Sequence, residues 1–246
     1  MRYLVLSDIH ANLEALEAVL EAARAIPHDR LLVLGDLVGY GASPNEVVDR
    51  IRGLAPHAVI RGNHDKVGAG LEPSDAFNAV ARTAISWTYE ALSDDNRDWL
   101  ADLPAGPLVV DDLLEICHGT PQDEDMYVFD DGDVLRSMQA ASRRLCLFGH
   151  THVQVAYRLA NQALTLETAD LRRPLHIPIG PGHYLINPGS VGQPRDGDPR
   201  AGFGVYDATA QIVEIHRTHY PIEQAQARIR GAQLPEALAQ RLMIGR

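Results

Sequence analysis

The sequence predicts an α/β protein in which a parallel sheet with crossover helices precedes a second, mostly antiparallel sheet. Apolar runs alternate with helix-like segments over residues 3–60, which is typical of strand–helix–strand units. Between residues 153 and 216, apolar or alternating runs follow one another with turn residues and no helices between them. Several runs end in Asp, His or Asn, and the carboxyl ends of strands are where open α/β sheets place their ligands.

The first part of the chain predicts three strands and two helices. Short apolar runs predict buried strands at 3–6, 31–34 and 58–60. Apolar residues recur at helical spacing from Leu13 to Leu20, and Asn12 stands at the capping position before them. The order Ser43-Pro44-Asn45-Glu46 predicts a second helix that begins with a capping box.

The rest of the chain predicts helices over 75–102 and 134–141, and a hairpin that turns at Asp111-Asp112. Further strands are predicted at 108–110, 113–117, 145–148, 153–158, 163–168, 183–187, 203–206 and 212–216. Two helices separated near Pro235 end the chain. Since no domain-scale linker interrupts these elements, we expect a single domain over residues 1–246.

Composition limits the classes of partner. The net charge of −11 and the pI near 5.4 argue against long nucleic acids and anionic membranes as partners. A phosphate substrate is still compatible, because bound metal ions invert the local field. Cys117 and Cys146 lie in apolar runs and are expected to pack as small hydrophobes, without a disulfide. The apolar N-terminal run is too short for a signal peptide, and no run reaches membrane-spanning length, so we expect a cytoplasmic protein.

Clusters of metal-ligating side chains follow five of the predicted strands. They are Asp8/His10, Asp36, Asn63/His64, His118 and His150/His152. A single histidine in such a place is more often structural, but five clusters at strand ends favour a common site. Carboxylate, imidazole and amide groups without thiolates suit Mn, Fe or Zn. These groups are too many for one tetrahedral ion, whereas two ions sharing one carboxylate use them all, with Asp36 as the natural bridge.

The ordered set of these clusters, with Gly35-Asp36, Gly62-Asn63-His64-Asp65 and Gly149-His150-Thr151-His152, resembles the calcineurin-like metallophosphoesterases. Within that family, the chain is most similar to small bacterial phosphodiesterases and relatives of diadenosine tetraphosphatase. The resemblance implies two packed mixed β-sheets flanked by helices, in four α/β/β/α layers. It also implies two divalent ions, Mn or Fe being favoured over Zn, Ni or Mg. One would be held by Asp8, His10, Asp36 and His152, and the other by Asp36, Asn63, His118 and His150.

The chain departs from the protein Ser/Thr phosphatases of this superfamily after Asp36. Those enzymes carry Asp-Arg-Gly there, and this sequence has Gly39-Tyr40-Gly41, which lacks the arginine. A phosphoprotein substrate is therefore disfavoured. Arg61 and Arg195 are alternative sources of positive charge for substrate binding, with Tyr40 as a further pocket residue. The alternative for either arginine is an ordinary surface or salt-bridged position.

The resemblance implies a metal-dependent phosphoesterase in which a metal-bridging hydroxide attacks phosphorus, and a phosphodiester is the favoured substrate. His64 would donate a proton to the leaving oxygen or stabilise the transferring group, with Asp65 orienting its ring. The alternatives are a monoester phosphatase acting on small molecules or phosphoproteins, and a metal-binding scaffold without activity. The expected partner is a small phosphorylated substrate, a nucleotide being one example, while the oligomeric state stays open. The acidic residues of the loop 123–133 are expected to be solvated.

Overall fold

The computed structural model describes residues 1–168 and 174–246 and contains two six-stranded sheets. The strands are β1 (Arg2–Leu6), β2 (Arg30–Val33), β3 (Ala58–Val59), β4 (Leu108–Val110), β5 (Leu114–Ile116), β6 (Leu145–Leu147), β7 (Val155–Ala160), β8 (Ala163–Thr168), β9 (Leu175–Pro178), β10 (His183–Asn187), β11 (Ala201–Asp207) and β12 (Ile212–Thr218). The helices are α1 (Leu13–Ala23), α2 (Pro44–Gly53), α3 (Asn63–Gly68), α4 (Ala79–Ala91), α5 (Asp94–Ala101), α6 (Asp131–Ala140), α7 (Ile222–Gly231) and α8 (Glu236–Ile244). A 3₁₀ turn covers Ser74–Ala76.

Both sheets are mixed. The strand orders are β3-β2-β1-β11-β12-β9 and β4-β5-β6-β10-β7-β8. Pairing is parallel from β1 to β3 and from β5 through β6 to β10, and antiparallel elsewhere. The predicted fold of two mixed sheets flanked by helices is confirmed.

The prediction of a separate antiparallel sheet after residue 153 is wrong. β11 pairs with β1 in the first sheet, whereas β10 pairs with β6 in the second, so the later strands are divided between both. The physical reason is that a buried sheet edge with unpaired backbone groups is unfavourable, and these later strands cover the open edges of the two earlier strand sets. Strand β9 was not predicted from the sequence.

Buried apolar side chains form separate clusters, one between the two sheets and others on the outer faces that helices cover. Val5 and Leu32 of the first sheet join Ile116 and Leu147 of the second in one buried cluster. A larger cluster packs the outer face of the first sheet against helices such as α1, α2 and α7, while α6 covers part of the second. Cys117 and Cys146 are buried and free, with 3.6 Å between their Sγ atoms, so the prediction that they pack without a disulfide agrees with the structure.

The two predicted helix caps have different outcomes. The Asn12 side chain accepts a hydrogen bond from the backbone N–H of Ala15 at 3.1 Å, as predicted. Ser43 directly precedes α2, but its buried hydroxyl has no hydrogen-bond partner among the described residues, so the predicted capping box is wrong. The backbone of Ser43, with φ −127° and ψ 54°, departs from the extended conformation that aims a capping side chain at the helix. No helix in the described ranges combines the length and apolar character needed to cross a membrane.

Candidate metal centre

Ligand-type side chains from both sheets meet where β1, β2, β5 and β6 end. They form two buried groups whose ligand atoms lie within 4.8 Å of one another in each group. The first group is Asp8, His10, Asp36 and His152, and the second is Asp36, His118 and His150. Asp36 belongs to both, which is the position that the sequence analysis expected for a bridging carboxylate.

Backbone carbonyls fix the rings of three of these histidines. A carbonyl oxygen can only accept, so each ring donates its Nδ1–H and directs Nε2 into the site. The pairs are His10 with Val38 at 3.0 Å, His118 with Leu34 at 2.7 Å and His152 with Gln193 at 2.6 Å. Such partners orient metal-ligating histidines and raise their basicity.

The groups directed into the site fit divalent cations. His10 Nε2 lies 3.1 Å from His152 Nε2, and both rings already donate through Nδ1, so two lone pairs face each other. Asn63 Oδ1 and His150 Nε2 are buried and lack hydrogen-bond partners among the described residues. Acceptors that converge without a donor are unfavourable unless a cation lies between them. The oxygen and imidazole set suits hard or borderline divalent ions.

The pKa shifts within the site also favour a positively charged partner, either a proton or a cation, beside the Asp36 carboxylate. Burial opposes a charge on His118, but the charge and hydrogen bond of Asp36, together with smaller contributions from other groups, outweigh burial and raise the pKa of His118 to about 10. Burial lowers the pKa of His150 to about 3 and lowers the pKa of His10 and His152 well below the ordinary value. Three of the histidines are therefore neutral and can act as acceptors. The fourth, His118, lies beside Asp36, and these two groups together can bind a proton or a metal ion.

The backbone at the site is strained. Five of these residues adopt left-handed conformations, which cost an L-residue roughly 1–2 kcal/mol each. They are Asp8 (φ 54°), His10 (φ 50°), Asp36 (φ 53°), His150 (φ 64°) and His152 (φ 60°). Strain of this kind persists where surrounding structure over-determines it, and it clusters at functional sites.

Two glycines beside the clusters allow the close approach of neighbouring segments. A Cβ on Gly62 would lie 2.2 Å from Asp36 Oδ1, and a Cβ on Gly149 would lie 2.1 Å from Ser7 Oγ. Ser7 in turn donates to Asp8 Oδ2 at 2.7 Å. Glycine is therefore required at these positions because any side chain would displace a ligand-type carboxylate or its partner.

His64 lies on the first turn of α3 and is buried among aromatic rings. Its ring centroid is 4.3 Å from that of Tyr40, 4.6 Å from Phe77 and 4.9 Å from His10. Its Nδ1 has no hydrogen-bond partner among the described residues. Burial lowers its pKa to about 4, so the ring is neutral at pH 7.

Asp65 does not orient the ring of His64, and this expectation is wrong. Its Oδ1 accepts from the backbone N–H groups of Leu37 at 2.8 Å and Val38 at 3.2 Å, and its Oδ2 accepts from Gly62 N at 3.0 Å. Helix α3 begins at Asn63, and its first turn directs the Asp65 carboxylate toward the backbone of the segment that follows Asp36. Asp65 therefore joins the segment after β2 to the start of α3.

The structure also changes the interpretation of Arg61 and the acidic loop. Arg61 donates to Glu124 through Nε at 3.2 Å and Nη2 at 3.0 Å, so the salt-bridged alternative for Arg61 agrees with the structure, and the role as a source of positive charge for substrate binding is not favoured. Lys66, which is only 2% exposed, pairs with the same Glu124 at 3.2 Å and with Asp125 at 2.6 Å. The loop is therefore only partly solvated, because two of its acids neutralise cations on and beside α3.

Arg195 and Tyr40 lie beside the metal-ligand groups. The Tyr40 ring centroid is 4.7 Å from that of His10, and its hydroxyl is 3.3 Å from Arg195 Nη2. The charge of Arg195 adds to burial in lowering the pKa of His152. These two predicted substrate residues therefore share the neighbourhood of the ligand groups, whereas Arg61 is committed to an ion pair.

Sequence reasoning missed three residues near the site. The Tyr127 ring lies 3.8 Å from that of His150, and Phe77 packs on His64. Arg241 lies over Tyr40 at 5.7 Å from the ring centroid. Tyr127 stands within the acidic loop and Arg241 within an ordinary helical pattern, so only their spatial neighbours distinguish them.

Comparisons with known proteins agree with this geometry. The profile of the calcineurin-like phosphoesterase superfamily domain matches residues 1–211. An uncharacterized protein from Methanocaldococcus jannaschii is 36% identical over 251 aligned positions, which cover 98% of this chain and 97% of the relative. A crystal structure of a metallophosphoesterase from Sphaerobacter thermophilus has a TM-score of 0.88 and 40% identity, covering 100% of this chain and 99% of that one. A hypothetical protein from Pyrococcus horikoshii OT3 shares the fold, with a TM-score of 0.81, 22% identity and coverage of 100% and 98%. The chain belongs to the calcineurin-like phosphoesterase superfamily.

Proposed function

We propose that this protein hydrolyses small phosphodiesters with the help of two divalent metal ions. The observation that carries the proposal is the pair of buried ligand groups that share Asp36. Membership of the superfamily supports hydrolysis of a phosphoric ester, and the divided ligand set supports a dinuclear centre. A diester is favoured because the segment Gly39-Tyr40-Gly41, which follows Asp36, carries no arginine to bind the additional charge of a monoester.

One ion is assigned to Asp8, His10, Asp36 and His152, and the other to Asp36, Asn63, His118 and His150. When bound, such ions acidify water to a nucleophile near neutral pH and neutralise charge on phosphoryl oxygens. The donor set favours Mn or Fe, with Zn, Ni and Mg as alternatives. Within the chain, backbone carbonyls hold the three anchored histidines with their Nε2 lone pairs directed into the site that contains Asp36, which pre-organises the centre.

His64 is proposed to act as a neutral hydrogen-bond donor. Its lowered pKa of about 4 excludes an imidazolium as the main form at pH 7. Its Nδ1 is buried against Gly39 and has no acceptor among the described residues, so the proton is assigned to Nε2. The Nε2–H would stabilise the leaving oxygen or a phosphoryl oxygen. Of the two roles that the sequence leaves open for His64, proton donation and stabilisation of the transferring group, a neutral ring favours the second.

No side chain is proposed as a covalent nucleophile. Ser7 donates its hydroxyl to the Asp8 carboxylate at 2.7 Å, and Ser190 donates to the Asp8 carbonyl at 2.7 Å. Both serines therefore hold Asp8 in its left-handed conformation. Cys117 is fully buried in the core beside Cys146, where a substrate phosphorus has no access.

A monoesterase is the second candidate function, and Arg195 is the observation that favours it. The terminal phosphate of a monoester carries one more negative charge than a diester. A guanidinium beside Tyr40 and the ligand groups would compensate that charge. The choice between diester and monoester is therefore a matter of measured preference.

The test strips the protein of metal and reloads it with Mn²⁺, Mg²⁺, Ni²⁺ or Zn²⁺. Hydrolysis of bis-p-nitrophenyl phosphate and p-nitrophenyl phosphate is then compared, with metal content measured in parallel. We expect diester turnover to return with metal. His64→Ala should lower kcat by about 100-fold or more while metal content is retained. Asp36→Asn should lose metal itself.

The exposed His219 provides a matched control, since His219→Ala removes an imidazole that belongs to neither ligand group and should match wild type. Equal metal loss in His64→Ala and Asp36→Asn would contradict their separate roles. Monoester turnover alone would favour the second candidate function. Two bound metals without turnover of either ester would favour a scaffold.

A further inference from the structure

Two arginines from distant parts of the chain meet over the ring of Tyr40. Arg195 comes from the loop between β10 and β11, and Arg241 comes from α8. Each guanidinium carbon lies 5.7 Å from the Tyr40 ring centroid. Each also donates to the same atom, Gln193 Oε1, at 3.2 Å. The two donating nitrogens are therefore within twice that distance of each other.

No carboxylate is in direct contact with this pair in the part of the chain that the structure describes, and the Asp8 carboxylate attracts Arg195 only from beyond ion-pair distance. No ion pair there includes Arg195 or Arg241, and the oxygens to which they donate belong to uncharged groups, the Gln193 amide and the phenols of Tyr40 and Tyr127. The acids of the same loop are engaged elsewhere, because Asp196 pairs with Arg217. Asp198 pairs in turn with Arg200.

Two half-buried like charges without a counterion are unfavourable. Burial, followed by the charge of Arg195, lowers the pKa of Arg241. A protein with a net charge of −11 has many carboxylates, yet none of those that the structure describes forms an ion pair with either arginine. A bound ligand is the simplest source of the missing negative charge. A guanidinium group can donate two parallel hydrogen bonds to phosphoryl oxygens, which it matches in geometry and charge.

The pair is also close to the metal-ligand groups. Tyr40 lies under both guanidinium groups and packs against His10, with 4.7 Å between the ring centroids. An anion held by Arg195 and Arg241 would thus be one aromatic ring away from an assigned metal ligand. That spacing suits two phosphoryl groups of the same small molecule rather than two separate ligands.

We propose that Arg195 and Arg241 bind a second phosphoryl group, so that the substrates are small phosphoesters carrying one phosphoryl group at the metal centre and another over Tyr40. This inference rests on the proposed function, which places the scissile phosphoryl group at the metals. The superfamily profile ends at residue 211, so Arg241 comes from a segment outside the matched domain. The C-terminal helix would therefore determine substrate choice within a common catalytic scaffold.

The test measures binding to Mn²⁺-loaded protein by titration calorimetry, with free Mn²⁺ in excess. Methylenebisphosphonate carries two phosphoryl groups joined by a bond that cannot hydrolyse, and methylphosphonate carries one. We expect wild type to prefer the bisphosphonate. Arg241→Gln should reduce that preference about 10- to 100-fold, which corresponds to the loss of one charge-assisted contact.

Arg230→Gln is the matched control. It removes one positive charge from neighbouring α7, where Arg230 is exposed and paired with Glu236, and the preference should stay as in wild type. Arg241→Lys keeps the positive charge but cannot donate two parallel hydrogen bonds, so it should lose part of the preference for the bisphosphonate. It also serves as the test variant if Arg241→Gln does not fold.

Bisphosphonate preference that is equal in wild type, Arg241→Gln and Arg241→Lys would overturn the inference. So would an equal loss in Arg230→Gln, since this would indicate a general charge effect. Turnover of bis-p-nitrophenyl phosphate is measured on the same wild-type sample. Failed turnover with a preference that depends on Arg241 would refute the proposed function and leave the anion site standing. Normal turnover without that preference would do the reverse.

Discussion

Gly39→Ala tests whether the His64 ring depends on a glycine in the neighbouring loop. Gly39 has a φ of +85°, and an added Cβ would lie 2.3 Å from His64 Nδ1 and 2.9 Å from its Cγ. Since normal contacts are about 3.5 Å or longer, the ring would have to move by roughly 1 Å. Tyr40 and Phe77 pack against other parts of the ring, so it cannot retreat freely.

The expected magnitude follows from these two effects. A left-handed alanine costs about 1–2 kcal/mol, and overpacking a filled site adds about 1–3 kcal/mol. For a chain of this length, the sum corresponds to a Tm lower by about 4–20 °C. A misplacement of about 1 Å can reduce turnover about 100-fold. Metal content should be retained, because Gly39 contacts His64 and not the assigned ligands.

The assay combines thermal unfolding, metal analysis and turnover of bis-p-nitrophenyl phosphate. Gly53→Ala is the control, because Gly53 ends α2 with open space around its Cα and should tolerate alanine with a gain of about 0.5–1 kcal/mol. Gly39→Ala with the Tm and turnover of wild type would refute the idea that this close contact positions His64. Loss of metal together with turnover would show that the loop supports the metal centre instead.

Three further predictions concern metal, Asp65 and Asp111. Mn²⁺ at 100 times its Kd should stabilise the folded state by about 2.7 kcal/mol, so removing it with a chelator should lower the Tm by about 5–11 °C. An unchanged Tm in a calorimetric scan would contradict metal binding by the folded state. Asp65→Asn places an amide donor against one of three backbone N–H groups and should lower stability to urea by about 1–3 kcal/mol, whereas an unshifted urea midpoint would contradict its bridging role. Hydrogen bonds from Tyr3 and then Arg30 lower the pKa of Asp111 to about 2 from its ordinary value of 3.8. A lowered folded-state pKa stabilises above the ordinary value, so the advantage of wild type over Asp111→Asn in urea unfolding should be complete above pH 3.8 and shrink toward pH 2; a constant difference would exclude this linkage.

The sequence alone predicted most of the framework because its signals are local. Apolar runs and helical spacing depend on residues within one or two turns of each other, and they placed β1, β2, α1 and the hairpin at Asp111-Asp112. Polar residues directly after strands indicated a shared edge, and the structure brings Asp8, Asp36 and His118 together there. The parallel order of the first three strands follows from the same local pattern.

Long-range packing decided what the local signals do not encode. Arg61 is neutralised by Glu124, which is 63 positions away, and Asp65 accepts from backbone groups 27 and 28 positions earlier. The left-handed conformation of Asp36 likewise has no local sequence signal, since it is imposed by the loops packed around it.

The sequence by itself determined which residue types follow each strand, and therefore the metal-binding chemistry of the site. Only the tertiary structure decided which charged side chains pair with one another and which charged side chains from distant segments lie close together. Arg195 and Arg241 show the difference, because each is an ordinary arginine in its own segment. Their guanidinium groups meet over one aromatic ring only where α8 packs beside Tyr40. The physical reason is that electrostatic interactions depend on distance in space, whereas sequence patterns report only neighbours along the chain.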